Sequence, residues 1–269
     1  ELRTQRPLPN PRLDQLDPFL FLNHHGPQVY PPNNRGLPFG PHPHRGFETV
    51  TFIVEGSLAH KDTGGHESVI DEGGVQWMTA GRGLEHAELS PEEFLRDGGP
   101  LEILQLWVNL PRRLKMTEPR YVGLQKDAIP SFTQDGVTVN LISGTWEGHT
   151  GPIESLTDVH MMTVALDAGA HASLDAPAGR TIFLYVVRGE IRIDGKDVPP
   201  MHLAELNNDG DRVEIDAVTP ALLLFGHATP YREPVVAYGP FVMNTQGEIK
   251  QAILDYQAGK FAVDDERQP

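Results

Sequence analysis

Two pairs of ligand-type side chains limit what this chain can fold into. His42 and His44 stand at i, i+2, and so do His86 and Glu88. Side chains two apart point to one face in a β-strand. Each short segment, if extended, therefore aims two ligands in one direction. Laid side by side, the two segments bring three imidazoles and one carboxylate together. A fold that exploits this spacing is built from strands around a metal.

The donor types narrow the metal. Imidazole plus carboxylate suits iron, nickel, cobalt, manganese, copper or zinc. The chain has no cysteine, so no thiolate site of the zinc-finger or iron–sulfur kind is available. Four protein ligands on a six-coordinate ion leave positions open for substrate, water or dioxygen. That pattern favours a working metal over a structural one.

Between and around the pairs the chain reads as glycine-punctuated β structure. Phe47 to Val54 is rich in β-branched and aromatic residues, and Gly56 ends the run. Pro43 places the first pair at the start or edge of a strand. Gly64-Gly65 marks a hairpin between His60 and His66. Val75 to Met78 continues the pattern, and the turn from Ala80 to Gly83 delivers His86. Leu101 to Leu110 is a strand with Leu104, Leu106 and Val108 on one face and Gln105 and Trp107 on the other. Residues 1–17 read as an irregular arm, Phe19 to Leu22 as a short strand, and residues 112–130 as a connector. His24 and His25 read as loop residues, not ligands. His60, placed near the pocket mouth, is not expected to be a ligand because it lacks a partner two residues away. Arg82 is expected to pair with a neighbour. Ser90 and Glu93 form a capping-box pattern, as do Thr245 and Glu248. After the second box, Ile249, Ala252, Ile253 and Tyr256 follow at helical spacing, with Gly259 as the C-terminal stop.

The flanking residues carry a family resemblance. Gly36, His42, His44, Glu48 and Gly56 in this order resemble the first metal motif of the cupins, and Gly73 to Glu88 resembles the second. The wording of His42 to Thr49 (HPHRGFET) and of Gln76 to Glu88 (QWMTAGRGLEHAE) is similar to the pirin family specifically. The similarity resumes at Leu106 to Pro111, Arg232 to Val235 and Tyr238 to Thr245. The resemblance implies that His42, His44, His86 and Glu88 are the metal ligands. Glu48, where many other cupins have their ligand carboxylate, is left as a supporting or structural residue. It further implies an all-β fold of two antiparallel, jelly-roll-like cupin barrels in tandem, with few short helices. The chain ends are expected to cross over between the domains.

The second half reads as a degraded copy of the first. Phe183 to Gly189 aligns over Val50 to Gly56, which sets His42 and His44 opposite Asp175 and Pro177. Setting Gly210 over Gly74 puts His86 and Glu88 opposite Leu222 and Leu224. The expectation is a bicupin with a metal-binding domain at 1–125 and a ligand-free domain at 126–269 that ends in the helix. His149, His160, His171, His202 and His227 contain no i, i+2 pair and read as surface or core residues.

Composition excludes several classes. At 269 residues and 39% hydrophobic content the chain has material for two cores. A net charge of −15 argues against a nucleic-acid surface and against an anionic membrane. The absence of cysteine removes disulfides, and no apolar run reaches membrane-spanning length. The expected location is cytoplasmic and the expected state a monomer. By resemblance to pirins, the expected activity is that of a dioxygenase opening the flavonol ring of quercetin. It takes a phenolic substrate and dioxygen, on one divalent ion, Fe(II) before the alternatives, with Glu88 as general base. The alternative is an iron-dependent redox sensor that binds protein partners. A storage-type cupin with a structural metal is disfavoured by the open positions.

Overall fold

The computed structural model of the chain describes residues 1–207 and 209–262. Ten strands come first: β1 (Thr4–Leu8), β2 (Phe19–Tyr30), β3 (Phe39–His44), β4 (Phe47–Glu55), β5 (Ser57–Asp62), β6 (Glu67–Asp71), β7 (Val75–Thr79), β8 (Leu84–Leu89), β9 (Gly99–Asn109) and β10 (Arg120–Leu124). A one-and-a-half-turn helix, α1 (Glu92–Asp97), precedes β9. Next come β11 (Ser131–Gln134), β12 (Val137–Ser143), β13 (Thr145–Trp146), β14 (His149–Thr150), β15 (His160–Leu166), β16 (His171–Asp175), β17 (Thr181–Arg188), β18 (Ile191–Ile193), β19 (Lys196–Val198), β20 (His202–Ala204), β21 (Arg212–Ala217) and β22 (Ala221–Ala228). The chain closes with β23 (Val236–Tyr238), β24 (Phe241–Met243) and α2 (Gln246–Gln257). The protein is all-β, with antiparallel sheets and few helices, as the sequence leads one to expect.

The strands fall into two compact units, and the chain ends are exchanged between them. The first unit contains Glu1–Thr4, Phe21–Lys126 and the described residues from Arg232 on; the second contains Gln5–Leu20 and Asp127–Tyr231. This division differs from a contiguous split at 125/126 at both ends. The Phe19 ring lies 5.1 Å from that of Phe183, and the Thr181 hydroxyl donates to the Asp17 carbonyl. These contacts commit the arm to the second unit. Helix α2 belongs to the first: Ile249 and Ala252 are buried with Phe241, Met243 and Phe261. Its start follows the capping pattern, with the Thr245 hydroxyl accepting the Glu248 N–H at 3.2 Å and the Glu248 carboxylate accepting the Asn244 N–H.

Each unit pairs a larger sheet with a four-stranded one. In the first unit β2-β9-β4-β7-β10 faces β3-β8-β5-β6; in the second β11-β12-β15-β22-β17-β20 faces β16-β21-β18-β19. The second core is closed by Leu174, Val213, Ile215, Val164 and Leu223, all buried.

Several local expectations need correction. Residues 4–8 and 120–124 are strands, since tertiary pairing supplies partners that these short stretches do not advertise; Arg120 to Leu124 pairs along β7. The strand from Phe19 runs on to Tyr30, so His24 and His25 are strand residues. His24 makes a fully buried 2.7 Å pair with Glu102, and His25 meets the Thr4 hydroxyl at 2.7 Å. Ser90 does not cap α1; its hydroxyl accepts the Leu37 N–H instead.

Candidate metal centre

The smaller sheet of the first unit builds the site. Strand β3 is its edge strand, which is where Pro43 can sit without costing a ladder hydrogen bond. β3 and β8 run antiparallel with His42 opposite His86. A register shift between Phe39 and His42 keeps the two histidines in step on the inner face. One ligand atom from each of His42, His44 and His86 lies within 4.8 Å of the others. The ring centroids are 4.8, 4.4 and 5.0 Å apart. Among the described residues no other group of three such side chains gathers this closely.

Burial and hydrogen bonding set the state of these rings. His44 and His86 are 3% and 2% exposed. Burial, followed by the nearby His42, lowers the His44 pKa to about 3. Burial, then His44, His42 and His60, holds that of His86 well below the ordinary imidazole value. Both rings are therefore neutral, the form that offers a lone pair to a cation. The His42 Nδ1–H donates to the Gly40 carbonyl at 2.7 Å, and the His44 Nδ1–H to the Pro240 carbonyl at 3.4 Å. These bonds leave Nε2 of each ring as the free acceptor. His86 has no hydrogen-bond partner on either ring nitrogen, although both are buried. Unpaired buried polar atoms are costly. Three imidazoles with nitrogens turned together suit a divalent first-row ion.

Glu88 stands beside the cluster without joining that close group. It is 2% exposed. Its Oε1 accepts from the Gln76 amide and the Thr51 hydroxyl, and its Oε2 from the Gln105 amide. The Gln76 carbonyl accepts the Tyr121 hydroxyl and that of Gln105 accepts the Trp107 indole N–H, so both amides are turned with their NH2 toward Glu88. This ring of donors is invisible in the sequence motif, because Thr51, Gln76 and Gln105 come from three different strands.

The wall follows strand alternation. Phe47 lies 5.0 Å from His44 and 4.3 Å from Trp107, and Phe21 stacks on Trp107 at 4.5 Å. Gln105 and Trp107 share one face of β9, as the sequence alternation indicated, and the fold turns that face to the site. Phe47 lines the site. Val50, Trp77 and Leu106 fall on the opposite faces of their strands, because their neighbours Thr51, Gln76 and Gln105 point to Glu88. Glu48 also faces away from the histidines. It is 1% exposed and accepts the Thr79 hydroxyl, and burial raises its pKa to about 7 against the opposing bonds from Thr79 and Trp77. Arg82 pairs with Glu118 at the surface.

His60 proves to have a partner two residues away after all. Its Nε2 lies 2.9 Å from Asp62, a carboxylate at i+2. The spacing test applied to histidine–carboxylate pairs would have found it.

The second unit carries a different set at the matching positions. Where β3 and β8 pair His42 with His86, β16 and β21 pair Leu174 with Val213. Where β8 and β5 pair Glu88 with His60, β21 and β18 pair Ile215 with Ile193. The sequence register is corrected accordingly. Asp175 is one residue off and points outward to Arg212. Leu222 and Leu224 belong to β22, the counterpart of β9 and not of β8.

Comparison with known proteins agrees with this architecture. The family model for pirin matches residues 1–108, and the pirin C-terminal cupin domain matches residues 161–262. Pirin from Homo sapiens is 41% identical over 267 residues, covering 96% of this chain and 87% of that protein. A crystal structure titled quercetin 2,3-dioxygenase from Acinetobacter baumannii is 36% identical, with a TM-score of 0.86 over 91% of this chain and 86% of that one. A bacterial pirin from Escherichia coli, solved in complex with nickel(II), shares the fold at 21% identity, a TM-score of 0.66, and coverage of 85% and 92%. With both of its halves matched in order and a relative alike over nearly its whole length, the chain is a member of the pirin family, built from two cupin domains.

Proposed function

We propose that this protein is a metal-dependent dioxygenase that opens the ring of a flavonol such as quercetin, with His42, His44, His86 and Glu88 as ligands of one divalent ion, Fe(II) in the working enzyme. One observation carries the reading: His86 is buried with both ring nitrogens bare, inside a cluster whose other members each keep one nitrogen free. The similarity to the Acinetobacter baumannii protein supports the substrate class. The metal, when bound, supplies Lewis acidity toward a substrate hydroxyl and redox capacity toward dioxygen.

The chain's own residues do the rest. The carbonyls of Gly40 and Pro240 hold two of the imidazoles in the donor-out tautomer. Phe47, Trp107 and Phe21 form a continuous aromatic wall beside His44, suited to stacking on a phenolic ring and to excluding water. Glu88 accepts the proton of the substrate hydroxyl, its oxygens held in place by Gln76, Gln105 and Thr51. Dioxygen then adds to the activated ring, both oxygen atoms enter the product, and carbon monoxide leaves.

The test pairs elemental analysis with an oxygen electrode. Protein prepared without chelating resin and reconstituted anaerobically with iron should hold one ion per chain and consume oxygen only when quercetin is added. One bound ion with no oxygen uptake on any flavonol would refute the dioxygenase reading.

A further inference from the structure

The three histidines of the cluster are not held alike. His42 and His44 each anchor their second nitrogen on a backbone carbonyl. His86 is the exception. With one nitrogen turned to the cluster as a ligand lone pair, its other nitrogen is the one left to carry the ring N–H, and that atom is buried with no acceptor on a residue 2% exposed. Metal-ligating histidines almost always give that second N–H to an oxygen or another acceptor.

The missing acceptor lies next to it. His60 is 1% exposed, and its Nε2 donates to Asp62 at 2.9 Å. Asp62 is an acceptor here: against the upward push of burial, hydrogen bonds from His60 and His66 hold its pKa below the ordinary value. The other ring nitrogen, His60 Nδ1, is buried without a partner too. The two rings are neighbours. β5 and β8 pair His60 with Glu88 and Asp62 with His86, so His60 and His86 are diagonal on one face. Their centroids lie 5.5 Å apart, with 47° between the planes. An N–H···N bond between two imidazoles spans about 5 Å from centroid to centroid, so closing the pair takes a ring adjustment and no backbone shift. Tyr121 stacks on the His60 ring at 4.1 Å and 13°, its hydroxyl fixed by Ser68 and Gln76. That leaves His60 little freedom except toward His86.

We propose that Asp62, His60 and His86 form a relay in which Asp62 fixes the His60 tautomer and His60 Nδ1 accepts the outward N–H of His86, so that His60 is a positioning residue for the third metal ligand. The inference rests on the metal-centre reading above. Its consequence is a ligand ring held at one angle and made more basic, which raises metal retention and favours the higher oxidation state of a bound iron. The second unit supports the pairing by contrast. There Ile193 and Ile215 take the positions of His60 and Glu88, and Val213 that of His86, so relay and ligands are absent together.

The experiment uses zinc, which is diamagnetic and needs no turnover. Zinc affinity is measured by chelator competition on the full chain, together with the nitrogen-15 spectrum of the histidine rings. The wild type should show a downfield, slowly exchanging imidazole N–H with coupling across the bond to a second imidazole nitrogen. His60→Leu should lose that signal and bind zinc about ten- to a hundredfold more weakly. His60→Asn, whose amide can donate to Asp62 and accept from His86, should recover most of the affinity. Wild-type affinity in folded His60→Leu, or no N–H···N coupling in the zinc-loaded wild type, overturns the relay. The spectrum decides even if the leucine variant fails to fold. No zinc binding by the wild type overturns the metal-centre reading itself, a separate outcome.

Discussion

The two units use one strand order for opposite purposes. In the first, the inner face where β3, β8 and β5 meet carries His42, His86, Glu88 and His60. In the second, the same face carries Leu174, Val213, Ile215 and Ile193, packed into a continuous apolar core. The scaffold therefore does not need imidazoles to fold. Unit one leaves nitrogens of His86 and His60 unpaired in its interior, a cost that a bound ion and its hydrogen-bonded surroundings can offset. Unit two turns its charges outward instead, where Arg212 pairs with Asp175 and His171 with Glu214 and Asp216.

His86→Val copies the second unit's residue into the first. Metal affinity should fall by more than about a hundredfold and quercetin-dependent oxygen uptake should vanish. The metal-free variant should nevertheless unfold at a temperature equal to or above that of the metal-free wild type, because an unpaired buried imidazole has been replaced by an alkyl group. A strongly destabilised variant would show that the histidines are part of the fold. Metal content and thermal unfolding on one preparation decide between the two.

The reciprocal change addresses the other unit. Leu174→Ala should cost about 2–5 kcal/mol in urea unfolding and leave zinc affinity unchanged. His42→Ala, at the matching but half-buried position, should have the reverse profile: small in stability, large in metal.

Glu48 sharpens the contrast in a pH-dependent way. In the aligned strand its place is taken by Thr181, which is uncharged. Its folded pKa of about 7 lies above the ordinary 4.5, so the folded state holds a proton that the unfolded chain has lost. The associated stability is complete below pH 4.5 and disappears as pH rises through 7. Glu48→Gln keeps the uncharged form at every pH. It should flatten the stability profile and gain on the order of 2–3 kcal/mol at pH 8 relative to the wild type. Identical urea midpoints for the two proteins at pH 8 would contradict this.

The smallest effect is expected at the outer face of unit two. Arg212→Ala removes partly exposed ion pairs and should change stability by less than about 1 kcal/mol.

How much could be read from the chain followed the range of the signal. The i, i+2 spacing of His42 with His44 and of His86 with Glu88 is a local property of an extended chain, so the strands, the inward direction of each pair and the β class were all legible. So was the cap at Thr245 and Glu248, since it spans one helical turn. Residues 4–8 and 120–124 were not legible as strands, because their β character comes from neighbours far away in sequence. The matching residues of the second unit were misplaced for a similar reason. A register shift of one residue in β3, and the choice between β21 and β22 as the counterpart of β8, are fixed by cross-strand hydrogen bonds and leave no mark on a single strand.

Local signals along the chain sufficed for the residue types of the candidate site, their pairing along each strand, and the family resemblance. What surrounds them depends on the fold. It brought Gln76, Gln105 and Thr51 from three strands onto Glu88, set His60 diagonal to His86, turned Val50, Trp77 and Leu106 away from the site, and gave α2 to the first unit. The physical reason is that side-chain direction along a strand repeats every two residues and is encoded locally. Which strands lie side by side, and in which register, is settled by backbone hydrogen bonds and core packing between segments distant along the chain.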